Sequence, residues 1–260
     1  MLRSFGVGRP PALRGRDRSE LILSFQNGVR GVMAFISGAA RLALNYKAVP
    51  YRTEWIEYPD LKPTLSALGI PPNPAGTNNG AVYSSPAARL SDGTYVMDSL
   101  NIAHALDRLQ PEPSLHLDNG YTDRVQAAVL EAHVALVPIN LPRVPVKLLR
   151  PASREYFEMT REKRFGMPLE QLAKSEKAGE SAWKAAEPGM EKLKAILHEH
   201  EEGPYVMGKT VSFADFHIAG FWRFVQILDE DGDVFDRGMR FDESFPKHYD
   251  ACKEWLRRDD

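Results

Sequence analysis

Apolar and polar positions along the chain change rhythm near residue 110. Before it, short strand-like runs alternate with helical ones. Leu21-Ile22-Leu23-Ser24-Phe25 is a compact apolar run suited to a buried strand, and a loop through Gly28 and Gly31 follows it. Ser37-Gly38-Ala39-Ala40-Arg41-Leu42-Ala43-Leu44 predicts a helix capped by Ser37 and ended by Pro50. Tyr51-Arg52-Thr53-Glu54-Trp55-Ile56 alternates in character and is rich in residues favoured in strands, so a second strand is expected there. Asp60 to Leu68 predicts a short helix with Pro63 in its first turn and Gly69 as its stop. Ile70 to Gly80, dense in Pro, Gly and Asn, is a loop. Ala87–Leu90 and Thr94–Met97 then flank Asp92-Gly93, a tight hairpin in which Gly tolerates a positive φ. Ser99 to Leu109 sets Leu100, Ala103, Leu106 and Leu109 near one helical face.

The order is therefore βαβαββα. Gln110-Pro111-Glu112-Pro113 makes a stiff polar linker, and beyond it the strand signals fade. Tyr121–Val137, Arg154–Phe165, Ser181–Glu201 and Phe213–Leu228 carry helical patterns, and a final segment ends with Glu254-Trp255-Leu256. The predicted fold class is a small α/β domain over residues 21–110 joined to an all-helical domain over 111–260, behind an arm of residues 1–20. One helix start is unusually well marked. Ser212 caps it, Asp215 stands three residues on, and Val211 can staple to Phe216. These are read as folding determinants.

Composition narrows the function. The chain has 260 residues, is 43% hydrophobic and 26% charged, and has a formal net charge of -2, which implies no affinity for nucleic acid. It has no apolar run of the roughly 20 residues that cross a bilayer. Cys252 stands alone, so an internal disulfide or thiolate cluster is excluded, and its terminal position makes it a poor nucleophile. Arg3, Arg9, Arg14, Arg16 and Arg18 face only Asp17 in the first eighteen residues. This is a solvated arm or a mitochondrial presequence, although Pro10-Pro11 breaks any amphipathic helix there. His133, His217 and the His198/His200 pair lack metal-ligand spacing. Asp229-Glu230-Asp231-Gly232-Asp233 looks like part of a calcium loop, but Arg240 occupies the position of its closing Glu, so no metal is expected.

The densest chemistry lies in residues 84–99. Asp98-Ser99 puts a carboxylate and a hydroxyl at a helix start, where unpaired N–H groups and a partial positive charge attract a ligand carboxylate while the Asp meets an ammonium. An amino-acid-like group, with one charge of each sign, fits such a place.

The domain order, the Ser85-Pro86 step before the third strand, the acid-Ser pair after the fourth and the Ser212-Phe213-Ala214-Asp215 cap together resemble the glutathione transferase family over roughly residues 21–257. Arg41-Leu42-Ala43-Leu44-Asn45-Tyr46-Lys47, Thr53-Glu54-Trp55-Ile56-Glu57-Tyr58-Pro59-Asp60, Asp92-Gly93-Thr94-Tyr95-Val96-Met97-Asp98-Ser99 and Arg161-Glu162-Lys163-Arg164-Phe165-Gly166 are similar to phrases of fungal etherase-like transferases, themselves similar to bacterial enzymes that cleave aryl ethers in lignin fragments. The resemblance implies a thioredoxin-like first domain with Pro86 as its cis-proline. It implies that the Ser85 backbone pairs with the cysteinyl part of glutathione and that Asp98 and Ser99 hold its γ-glutamyl end. Asn78 and Asn79 lie in the loop expected near the glycyl carboxylate, where loop polarity alone also accounts for them. A cytoplasmic homodimer is expected on the same ground.

Such an enzyme must ionise the glutathione thiol, whose unassisted pKa is roughly 8.5. A helix start contributes only ~0.3–1 kcal/mol, less than one pKa unit at about 1.4 kcal/mol, so a hydroxyl donor to the sulfur is required. Ser37 is the candidate, either as that donor or as a plain N-cap. The family pattern is altered here: Met33-Ala34-Phe35-Ile36-Ser37-Gly38-Ala39-Ala40, aligned back from Arg41 without gaps, puts Ala34 near the usual serine, and a local shift brings Ser37 into play. Tyr46 is expected to pack and Arg41 to anchor its helix by a salt bridge or polar contact. His133, Val137, Tyr156, Phe157, Phe213, Phe216 and Trp222 are candidate walls of an electrophile pocket between the domains, each as readily a core residue. The expected function is conjugation of glutathione to a hydrophobic or aromatic electrophile, or aryl ether cleavage by thiolate attack. The alternatives are a glutathione-dependent tailoring enzyme or isomerase of secondary metabolism and an inactive glutathione-binding scaffold.

Overall fold

The computed structural model of the chain describes residues 19–24, 35–76, 80–229 and 231–257, with residues 19–24 and 35–37 described by backbone alone. Residues 1–18 of the arm, the Gly28 and Gly31 loop, Asn78 and Asn79 lie outside these residues, while Ser19 and Glu20, expected in the arm, open the first strand. Strands β1 (Ser19–Ser24), β2 (Tyr51–Ile56), β3 (Ala87–Arg89) and β4 (Tyr95–Met97) form one sheet in the order β2-β1-β3-β4. They alternate with helices α1 (Phe35–Tyr46), α2 (Tyr58–Ala67) and α3 (Ser99–Leu109), in the expected βαβαββα order.

Register decides which loops meet. β1 and β2 run parallel with Ser24 opposite Ile56, while β3 runs antiparallel to β1 with Ala87 opposite Ile22 and Met97 of β4 opposite Ala87. The ends of β1, β2 and β4 and the start of β3 therefore share one sheet edge. Residues 57–58, 85–86 and 98–99 converge there from three distant parts of the chain. The hairpin closes through Leu90 N–H to Thr94 O at 2.8 Å and Gly93 N–H to Leu90 O at 2.9 Å, with Gly93 at φ +86°.

Two helix starts differ from expectation. α1 begins at Phe35, so Ser37 is its third residue and not its cap. α2 begins at Tyr58 because Pro59, not Pro63, occupies its first turn; Pro63 lies inside the helix.

α1 is buried on every side from Gly38 to Leu44, packed between α3 and the helical half. Two buried cations, Arg41 within α1 and Lys47 just beyond its last residue, find separate partners. Arg41 donates to Tyr51 OH at 3.4 Å and Thr53 Oγ1 at 3.0 Å and lies over the rings of Tyr51 and Trp55, the polar anchorage expected of it. Lys47 Nζ donates to Gln110 O at 2.6 Å and Pro113 O at 2.7 Å and pairs with Asp107 at 2.6 Å, which fastens the linker to α1.

The second half comprises α4 (Tyr121–Ala135), α5 (Val137–Asn140), α6 (Val144–Leu148), α7 (Pro151–Phe165), α8 (Leu169–Ala173), α9 (Glu180–Leu197), α10 (Phe213–Leu228), α11 (Phe235–Met239) and α12 (Ser244–Leu256). The expected single helix Tyr121–Val137 stops at Ala135 because Pro138 opens a separate turn. α9 crosses α4 closely enough that a Cβ on Gly189 would lie 2.6 Å from Ala132 N. α10 packs against α1, joining the halves into one apolar core.

The predicted cap forms and carries more than its helix. Fully buried Asp215 accepts from Ser212 N–H at 2.7 Å, Ser212 Oγ at 2.9 Å and Val206 N–H at 2.9 Å, with His248 Nε2 at 3.1 Å. Asp215→Ala strands buried donors, so we expect a loss of about 3 kcal/mol or more in urea unfolding, with Asp215→Asn recovering part of it.

Candidate functional site

The Ser85–Pro86 peptide is cis, and Pro86 is buried where β3 begins. Asn73 secures the approach to it: its N–H donates to Val82 O at 2.8 Å, and its amide donates to Ala81 O at 2.9 Å and Ser84 Oγ at 3.2 Å. Pro86 O accepts from Asp98 N–H at 3.0 Å, so the two candidate binding segments are directly joined.

Asp98 adopts φ 84° and ψ 138°, backbone space that favours glycine. Holding a side chain there costs about 1–3 kcal/mol, a strain characteristic of ligand clamps. Asp98 Oδ1 accepts from Leu100 N–H at 2.9 Å and Asn101 N–H at 3.4 Å, and its backbone oxygen accepts from Ile102 N–H at 2.9 Å. That leaves two adjacent groups free among the described residues: the Ser99 N–H and Asp98 Oδ2. The donor suits a carboxylate and the acceptor an ammonium. Ser99 is only 2% exposed, held within the helix start.

Ser37 stands in the first turn of α1 by its backbone; its side chain lies outside the described residues. The expected pocket walls divide. Phe213, Phe216 and Trp222 are fully buried core residues and Phe157 nearly so, which removes them from any open wall. Phe216 meets Tyr46 edge-on at 5.6 Å, and Tyr46 packs as expected. His133, Val137 and Tyr156 keep some exposure. Tyr58 is a further residue here, without a local signal of its role: its ring stacks on Tyr156 at 6.4 Å and its N–H donates to Ser153 Oγ at 2.9 Å, tying α2 to α7. Glu57 also binds Ser153 Oγ. No local pattern signals a contact across a hundred residues.

Two histidines sit between α4 and α10. Burial, with a smaller contribution from the Arg164 charge, pushes the pKa of His133 down to about 4, and its ring meets Phe221 and Phe224 edge-on. Burial likewise lowers His217 to about 4, with Gln126 Nε2 at 2.9 Å from its Nε2. Both are neutral at pH 7. Farther off, a cavity of about 460 Å³ opens beside Arg143, Trp183 and Arg237, away from the sheet edge, and both arginines are paired with carboxylates.

Family models for the glutathione S-transferase N-terminal and C-terminal domains match residues 37–109 and 121–255. The glutathione S-transferase-like protein ustS of Aspergillus flavus is 28% identical over 236 residues, covering 83% of this chain and 82% of that protein. Glutathione transferase GSTFuA3 of Phanerochaete chrysosporium superposes with a TM-score of 0.82 at 27% identity, over 93% of this chain and 98% of its own. A glutathione S-transferase of Ceriporiopsis subvermispora, crystallised with glutathione, gives 0.78 at 26% identity, over 92% and 97%.

The neutral histidines fix a pH dependence. An unfolded histidine with pKa near 6.5 takes up a proton that His133 and His217 refuse until about pH 4, so stability is full above about pH 6.5 and falls as pH drops toward 4. Between pH 7 and pH 5 we expect a loss of about 1–2 kcal/mol per histidine in urea unfolding, reduced in the His133→Gln/His217→Gln double variant.

Proposed function

The chain belongs to the glutathione S-transferase family, and from that premise we propose that it transfers the glutathione thiolate to a hydrophobic or aromatic electrophile, including displacement of a phenolate from an aryl ether. The observation that carries this reading is the free Ser99 N–H beside the free Asp98 Oδ2, one hydrogen bond away from the cis Pro86 edge. A γ-glutamyl group offers a carboxylate to the first and an ammonium to the second. The cysteinyl backbone then lies along Ser85, and the sulfur points to the start of α1. The glutathione-bound relative from Ceriporiopsis subvermispora supports tripeptide binding on this fold.

In this reading the thiol gives up its proton, the sulfur forms a bond to carbon, and a halide or phenolate leaves. The α1 start and the Ser37 hydroxyl stabilise the thiolate, the helix supplying ~0.3–1 kcal/mol and a hydrogen bond to charge roughly 1.5–3 kcal/mol. In this reading the electrophile packs on the aromatic surface of Tyr58 and Tyr156. A cytoplasmic homodimer completes the proposal, supported by the family resemblance.

Two variants test it. Asp98→Asn keeps an acceptor for Leu100 and Asn101 and tolerates positive φ, so stability should move by less than about 1 kcal/mol while calorimetry shows glutathione affinity down about tenfold or more. Ser37→Ala should lower kcat/KM for 1-chloro-2,4-dinitrobenzene by about tenfold or more with glutathione affinity unchanged. Equal rates would remove Ser37 from the mechanism; binding without turnover of any electrophile would make the chain a glutathione-binding scaffold.

A further inference from the structure

The motif Arg161-Glu162-Lys163-Arg164-Phe165-Gly166 has so far only an architectural place at the end of α7. Its first residue is a cation without an anionic partner among the described residues. Arg161 is largely withdrawn from water, and desolvation, above any neighbour, lowers its pKa. Its Nη1 donates to Thr160 Oγ1 at 2.9 Å. Its guanidinium lies 4.1 Å from the Phe157 ring centroid and 5.5 Å from that of Tyr58. Among the described residues no carboxylate reaches it; Arg164 nearby has the same sign, and the groups that act the other way are the phenols of Tyr58 and Tyr156.

Several arginines at comparable or greater exposure are paired with carboxylates. Arg124 pairs with Glu199, Arg143 with Asp229 and Asp233, and Arg237 with Glu180. A guanidinium carries five N–H donors, and Arg161 spends one of them on a side-chain hydroxyl. Tyr58 does not supply the missing charge, because burial holds its phenol protonated. None of the Arg161 nitrogens is sealed off and unsatisfied, so the free donors remain open to a ligand.

Position gives this cation a use. Tyr58 is the first residue of α2, directly beyond β2, so Arg161 stands over the sheet edge that also presents Pro86 and Asp98. Strand spacing of about 4.8 Å puts the β2 end of that edge roughly 14 Å from the β4 end, room for a tripeptide between them. Aromatic rings already line the approach, with Tyr58 stacked on Tyr156. We propose that Arg161 anchors the carboxylate of an aromatic acid as second substrate, its ring against Tyr58 and Tyr156 and its anion on the free guanidinium donors. This deepens the transferase reading and rests on it: the favoured electrophile carries a carboxylate on its ring, away from the carbon attacked by sulfur.

Calorimetry with unreactive 3,5-dinitrobenzoate and neutral 3,5-dinitrobenzamide reads the anchor apart from turnover. The native protein should bind the carboxylate about tenfold or more tighter than the amide. Arg161→Met, which keeps the apolar stem, should bring that ratio to about one, and Arg161→Lys should retain part of it. The kcat/KM ratio for 4-chloro-3,5-dinitrobenzoate against its methyl ester should fall in parallel. Because each ratio is taken within one protein, loss of folded material cancels. No carboxylate preference in the native protein, or an undiminished preference in Arg161→Met, overturns the proposal and leaves Arg161 a structural clamp. If glutathione fails to bind while the carboxylate preference persists and depends on Arg161, the transferase reading falls and the anchor stands.

Discussion

Burying a cation costs several kcal/mol unless donors meet acceptors at good geometry, and that constraint organises this protein. α1 is enclosed by sheet and helices alike, yet Arg41 within it and Lys47 directly after it are both buried. Arg41 reaches into β2, whose Tyr51 hydroxyl passes on to Asn45, whose amide in turn donates to Trp255 O in α12 at 2.6 Å. Lys47 gathers two linker carbonyls and Asp107 of α3. The small residues Gly38, Ala39, Ala40 and Ala43 let neighbours close on α1, while the two charges decide which neighbours those are. A purely apolar α1 would bury as well but would not specify the linker.

The carboxylates divide in the same way. Asp215 gives both oxygens to buried donors and has nothing left for a ligand. Asp98 gives one oxygen to the α3 start and keeps the other, at a backbone geometry that a side chain adopts only under strain. Two caps with similar sequence signals thus differ in function by their count of satisfied lone pairs. Helix α10 needs its acid for folding alone; α3 holds its acid half in reserve.

That difference marks how far the sequence could be read. β2, α3 and α10 were legible to the residue because alternation, periodicity and cap chemistry are local. Pro138 split α4 from α5, but a proline admits both a kink and a stop, and packing chose between them. Ser37 lost its place as cap to a helix that begins two residues earlier, at a point without a polar cap residue before it. Phe213, Phe216 and Trp222 have the size and polarity of pocket walls, and only the burial of α10 assigns them to the core. Asp98 and Ser99 stand where the sequence placed them, at the α3 start, because cap chemistry and helix start coincide in sequence. Tyr58 and Arg161 meet across a hundred residues, and nothing local to either records the meeting.

Charge satisfaction recovers what periodicity loses. Among the described residues at this sheet edge, the groups the fold has not spent are the Ser99 N–H, Asp98 Oδ2 and the remaining guanidinium donors of Arg161. The first two form a complementary pair for a zwitterion at the β4 end, and the third is a lone cation at the β2 end. Between them runs the Ser85–Pro86 peptide. A neutral electrophile would use the aromatic surface of Tyr58 and Tyr156 and leave the guanidinium as poorly solvated in the complex as before. An anionic one neutralises it, and the desolvation already spent on Arg161 during folding then works in favour of binding.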